Sequence, residues 1–123
     1  MKSVNPIRDK SLDFGIRIAK LTRYLLKRVT TAEYSICNQI LKSGTSIGAN
    51  VREAEHAESR DDFKHKLKIS LKEANETDYW LKILYNSNYI DKTAYESLNN
   101  DCQEIISLLI SIIKTINNSE EAS

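Results

Sequence analysis

Residues 43–50 read SGTSIGAN, a stretch holding two of the three glycines of the chain, Gly44 and Gly48. The flanking segments, EYSICNQILK (33–42) and VREAEHAES (51–59), carry helical spacing. Either a loop joins two helices here, or one long helix runs through and needs small residues. At 100° per residue, Cys37, Ile40, Leu41, Gly44, Ile47, Gly48 and Val51 fall on a single face, and the phase crosses the glycines unbroken. A loop would shift that phase. Each glycine costs a helix interior about 1 kcal/mol relative to alanine, and the close approach of a neighbouring helix would compensate for two of them. A turn at Gly44 is the alternative; continuity favours one helix over 32–58.

A second stripe shares this helix. Ser43, Ser46, Asn50, Glu53 and Ala57 are spaced 3-4-3-4, roughly 120° from the apolar face. The segment after it carries Asp62, Lys66, Ile69, Glu73 and Trp80. If the two form a hairpin turning near residue 60, partners have numbers summing to about 120. Glu53 then falls beside Lys66, Ser46 and Asn50 near Glu73, and Glu76 near Ser43. The expectation is a partly buried polar network of Ser46, Asn50, Glu53, Lys66 and Glu73 that fixes register; ordinary boundary residues are the alternative.

Outward from this hairpin the pattern stays helical. Phe14, Ile18, Leu21 and Leu25 form one stripe in a first helix expected over 10–28, after an extended entry SVNPIRDK (3–10) containing Pro6. Thr30 and Glu33 have capping-box spacing ahead of the second helix. Ser59 with Asp61 and Asp62 suits the start of a third helix, over 61–86, with Phe63, Leu67, Ser70, Ala74, Thr77, Leu81 and Leu84 at 4-3-4-3-4-3. After NSNYIDKT (86–93), a fourth helix over 92–117 carries Leu98, Cys102, Ile105, Leu109, Ile112 and Ile116, and NNSEEAS (117–123) reads as a polar tail. Four helices with short connections predict an all-α, antiparallel up-down four-helix bundle in which helices 2 and 3 are long. The length of 123 residues suits one domain over 1–123. Scarce glycine, a single proline and no β-alternation agree.

The net charge of +1 hides an asymmetry: residues 1–72 carry 15 Lys/Arg against 8 Asp/Glu, and 73–123 carry 3 against 9. Arg17, Lys20, Arg23 and Lys27 on helix 1, and Lys64, Lys68 and Lys72 on helix 3, form rows that can track a phosphate backbone, RNA before DNA. Tyr24, beside the first row, can stack on a base or simply pack. A merely solvated surface is the competing reading of both rows. No recognisable RNA-binding motif accompanies them. On helix 4, Ile105, Ile106, Leu108, Leu109, Ile110, Ile112, Ile113 and Ile116 span an arc of roughly 200°, wider than a small bundle normally shows. Such excess predicts self-association, or an adaptor ring that presents a surface to another protein.

Catalysis finds little support. Glu53-x-x-His56 has the spacing of a di-iron ligand pair, and Asp62-x-x-His65 echoes it, but His56 and His65 turn from the core and no second Glu-x-x-His exists. Cys37 and Cys102 sit in apolar faces with no base beside them, so reduced structural thiols are expected. The glycines follow no strand, as a phosphate loop requires. The expectation is a protein without catalytic, cofactor-binding or metal-ligating residues. No basic–apolar–small leader opens the sequence, and IISLLISII (105–113) is too short to span a bilayer. A cytoplasmic protein without membrane contact follows.

Residues 39–84 also resemble a known family. Ser46–Asn50 (SIGAN), Glu53–Ala54, Asp62–Leu67 (DFKHKL) and Glu73–Leu81 (EANETDYWL) match, in order, the hallmark segments of the 23S rRNA intervening-sequence proteins. Asn5–Ile7 and the Phe14 helix extend the match over almost the whole chain, whereas helix 4 matches only in apolar character. The resemblance implies a left-handed antiparallel four-helix bundle assembled as a homopentamer. A more distant similarity is to the basic, pentameric accessory proteins of diversity-generating retroelements, which associate with nucleic acid. The family name records a genomic address, not an activity.

Overall fold

The computed structural model describes residues 5–122. Four α-helices follow one another: α1 (Pro6–Leu26), α2 (Thr31–Glu55), α3 (Arg60–Asn86) and α4 (Lys92–Ala122). Helix α1 touches α2 and α4, α3 touches the same two, and the diagonal pairs do not meet. Neighbours run antiparallel, as their cross-links show. Lys10 and Arg17 of α1 reach Glu104 and Asp101 of α4, and Ser70 and Thr77 of α3 reach Ile47 and Ser43 of α2.

The caps set the helix limits. Asn5 accepts from the Arg8 N–H at 3.2 Å and Pro6 stands in the first turn, so α1 begins four residues before the expected Lys10. Proline disfavours helix at the residue before it, but its ring suits the first helical position, where no N–H is needed. Ser3 and Val4 of the expected extended entry lie outside the described residues. Glu33 reaches back to the Thr30 N–H at 3.2 Å and to its hydroxyl, opening α2. The same carboxylate accepts from Tyr89 at 2.8 Å, and these bonds hold Glu33 below its ordinary range. Ser59 accepts from the Asp62 N–H at 3.0 Å and opens α3. Asp91 accepts from the Ala94 N–H at 2.8 Å at the head of α4. Between α3 and α4 the chain turns through Asn88 at φ 67°, a left-handed conformation that asparagine tolerates.

Two ends differ from expectation. Helix α2 closes at Glu55, with His56 as its C-cap, rather than at residue 58. Helix α4 continues to Ala122 instead of ending near 117, and Glu120 on its last turns pairs with Lys64 at 2.8 Å and Arg60 at 3.8 Å.

The core is the sum of the four stripes. Phe14, Ile18 and Leu25 meet Ile40, Ile47 and Val51, Leu67, Leu81 and Leu84, and Ile105 and Leu109, all essentially inaccessible. Burial of such side chains contributes about 1.5–3 kcal/mol each before entropy is counted. The broad arc of α4 is largely absorbed here, because α4 packs against both α1 and α3. Ile105, Ile106, Leu109, Ile113 and Ile116 are buried, Leu108 and Ile112 half-buried, and only Ile110 remains 49% exposed. The self-association inferred from that arc therefore loses its footing on α4.

Candidate nucleic-acid interface

Helix α2 is continuous through SGTSIGAN, and the glycines face α1. A Cβ on Gly44 would stand 2.8 Å from Ile18 Cγ2 and 2.9 Å from its Cγ1. On Gly48 it would meet the backbone carbonyl of Ser11 at 3.3 Å, and on Gly15 it would lie at an ordinary 3.7 Å from Gly44 O. This close crossing fixes α1 on the bundle and so decides which of its cations face water.

Arg17 is not one of the free ones. Its guanidinium bonds Asp101 at 2.6 Å, Ser97 Oγ at 2.9 Å and the Ser97 carbonyl at 3.3 Å, clamping α1 to α4. Lys20, Arg23 and Lys27 are exposed and make no ion pair among the described residues. At spacings of 3 and 4 they share one outward face. Next to them Tyr24 is 50% exposed, with the Arg28 guanidinium 3.6 Å from its ring centroid.

On α3 the row is divided. Lys64 is bound to Glu120, whose carboxyl it holds below the ordinary range, while Lys68 and Lys72 are exposed and without an ion pair among the described residues. Since α1 and α3 occupy diagonal corners, the two rows do not form one surface within a single chain.

The expected polar network is only partly assembled. Lys66 Nζ lies 3.0 Å from Glu53 Oε1, but the Glu53 side chain is 59% exposed, so the pair is a surface one. Ser46 and Asn50 turn back on their own helix, to the Lys42 and Ser46 carbonyls at 2.6 and 2.8 Å, and do not bond Glu73. Glu73 pairs instead with Glu76. Burial, a hydrogen bond that the protonated Glu73 donates to Glu76 and the Glu76 charge together raise the Glu73 carboxyl, against the pull of Lys72 and Lys42. Ser43 meets Thr77 at 2.9 Å rather than Glu76, and Ser70 donates to the Ile47 carbonyl at 2.9 Å. These buried hydroxyls form the bonded α2/α3 seam. The signal for Ser70 and Thr77 was their place inside an apolar stripe, and Ser43 was expected on this flank, beside Glu76.

Exposed apolar surface lies on α1, off the Phe14 stripe. Leu12 (54% exposed) and Ile16 (45%) line a groove of about 490 Å³ between α1 and α2, together with Gly15, Gly48 and Ala49. A one-turn repeat of aliphatic residues off the Phe14 stripe was the available signal. Burial pushes the Cys102 thiol up to about 12 and also raises Cys37, leaving both protonated. His56 and His65 are exposed, and among the described residues no three His, Cys, Asp or Glu side chains gather as metal ligands do. Among the described residues no helix is long and apolar enough to cross a membrane.

The 23S rRNA-intervening sequence protein family matches residues 5–111. The chain belongs to that family. A crystal structure of a protein of unknown function from the S23 ribosomal protein family of Bacteroides thetaiotaomicron superposes with a TM-score of 0.83 at 56% identity, covering 88% of this chain and 98% of that one. No curated protein matches the chain. The intervening-sequence family match takes in the α1 row, both glycines of α2 and all of α3, and neither description names a catalytic activity.

Proposed function

We propose that this chain is a non-catalytic, oligomeric helical bundle of the cytoplasm that binds RNA through the phosphate backbone, with Lys20, Arg23 and Lys27 as the contact row. The observation that carries the reading is three exposed cations in helical register, none neutralised by the chain's own described carboxylates. A lysine or arginine without a partner gains most from a phosphate, and each phosphate contact releases counterions. Lys68 and Lys72, on the opposite corner, add to the same strand only when copies assemble side by side. The buried, protonated thiols fit a reducing compartment.

Oligomerisation is supported by the α1/α2 groove. Its occupant in this reading is a second copy, because besides Tyr24 on α1 and Tyr34 on α2 the chain exposes Tyr79 on α3 and Ile110 on α4, away from the groove. A ridge of one copy meeting the groove of the next is a heterologous contact, which closes into a ring when the rotation permits. Five copies is the number the family resemblance implies.

Fluorescence anisotropy of a structured RNA across a salt series tests the first half. We expect micromolar binding at low salt with a steep salt slope, weakened at least tenfold by Lys20→Glu, Arg23→Glu and Lys27→Glu together. Wild-type affinity in that triple variant would refute the contact row. Sedimentation velocity tests the second: Ile16→Lys should dissociate the assembly. A wild-type chain that sediments as a monomer would transfer the groove to a foreign helix, the adaptor reading.

A further inference from the structure

We infer that the cleft beside Tyr24 is a pocket for one unpaired nucleobase, so that the chain prefers single-stranded over duplex RNA; the inference rests on the phosphate-binding reading above. The cleft, about 640 Å³, opens where the last turns of α1 face the α3–α4 turn. Its floor is apolar, formed by the half-buried Leu21 and Ala94 and the buried Ile90 and Leu98. One wall is the Tyr24 ring. Lys20, one helical turn before it, and Asn88 of the α3–α4 turn also line the cleft.

Four features point to a flat ring with an anion attached. Tyr24 does not pack as a core tyrosine does, since half of its surface meets water. Arg28 covers one ring face at 3.6 Å and is itself tied to the Tyr24 carbonyl at 2.8 Å, which leaves one face for a guest. A base on that face would complete an arginine–tyrosine–base stack, and stacking tolerates any base because every base has a π-face. Lys20, without an ion pair among the described residues, is placed for the phosphate of the stacked nucleotide, and Arg23 and Lys27 continue along the helix for its neighbours. Asn88 is exposed, and its carboxamide makes no hydrogen bond among the described residues, so it can pair with a base edge. A base inside a duplex is stacked between its neighbours and cannot enter such a cleft.

The test compares an unstructured RNA decamer with a blunt RNA duplex of the same length, each titrated with wild type, Tyr24→Ala, Tyr24→Phe and the triple charge reversal. A 2-aminopurine in the single strand reports stacking separately from affinity. Tyr24→Ala should weaken single-strand binding by about 5- to 150-fold and abolish the 2-aminopurine quench, leaving duplex binding and the salt slope as they are. Tyr24→Phe should behave as wild type, and the far-ultraviolet melt of either variant should match the parent because the ring lies outside the core. Equal effects of Tyr24→Ala on both RNAs, or none on either, would overturn the base pocket while leaving the phosphate row intact. Binding that ignores the triple charge reversal would overturn the row, and the pocket with it.

Discussion

The two flanks of α2 hold their neighbours by opposite means, although both draw on the same eight residues. Toward α1, Gly44 and Gly48 remove side chains so that backbone meets Ile18 and Ser11 directly. Toward α3, Ser43 and Ile47 accept hydrogen bonds from Thr77 and Ser70. The first contact is held by dispersion and shape, so added volume is its weakness. The second is held by satisfied polar groups, so loss of one partner is its weakness. A helix with two such sides has its register fixed twice, once by fit and once by pairing.

The sharpest way to break this contrast is volume on the α1 side. Gly44→Leu should cost about 3 kcal/mol or more by overfilling against the rigid, β-branched Ile18, as measured by urea denaturation. Gly44→Ala should cost less, Gly48→Ala less again, and Gly15→Ala should stabilise by up to about 1 kcal/mol, because its methyl meets no tight contact. Equal effects at all three glycines would refute the crossing geometry.

Next comes the polar flank. Thr77→Val should cost about 1–2 kcal/mol by stranding the Ser43 hydroxyl, which keeps only the Ile40 carbonyl at 3.4 Å. Adding Ser43→Ala should recover part of that loss. Strict additivity in this cycle would mean that the two hydroxyls are not coupled.

The Glu73–Glu76 pair, on the outer edge of the same flank, gives a pH signature. With its carboxyl raised above the ordinary 4.5, the folded chain holds the Glu73 proton more tightly than the unfolded chain. The resulting stabilisation is full below the unfolded value and is lost as pH rises through the folded one. Glu73→Gln should therefore gain stability relative to wild type on going from pH 4 to pH 8, read from thermal melts. A difference independent of pH would place Glu73 in open solvent.

The smallest effect belongs to Lys66 and Glu53. A buried pair would make Lys66 removal worse than removal of both partners, but the exposure of Glu53 changes that expectation. Coupling in the double-mutant cycle should be about 0.2–1 kcal/mol and fall with salt.

Much of the fold was legible residue by residue. The unbroken phase of Ile40, Gly44, Ile47 and Val51 marked α2 as one helix, and Thr30, Glu33 and Ser59 marked where helices begin. Pro6 misled at the start of α1 because the same ring that forbids helix before it favours helix after it. The long α4 was cut short because NNSEEAS has no apolar stripe, yet Lys64 and Arg60 of the neighbouring α3 hold Glu120. The candidate site was half legible. Spacing found the α1 row, but nothing in spacing separates Arg17, tied to Asp101, from Lys20, tied to nothing described.

What the sequence determined alone is what depends on the chain's own period: four helices, their inward faces, most of their caps, and the family. Tertiary structure decided everything that depends on the element standing opposite. It put Thr77 beside Ser43 where Glu76 was expected, buried most of the α4 arc between two neighbours, left Leu12 and Ile16 uncovered, and opened a cleft beside Tyr24. Periodicity is a local property, carried by one helix at 100° per residue. Pairing is set by the azimuth and height of a second helix, and those follow from packing the whole bundle.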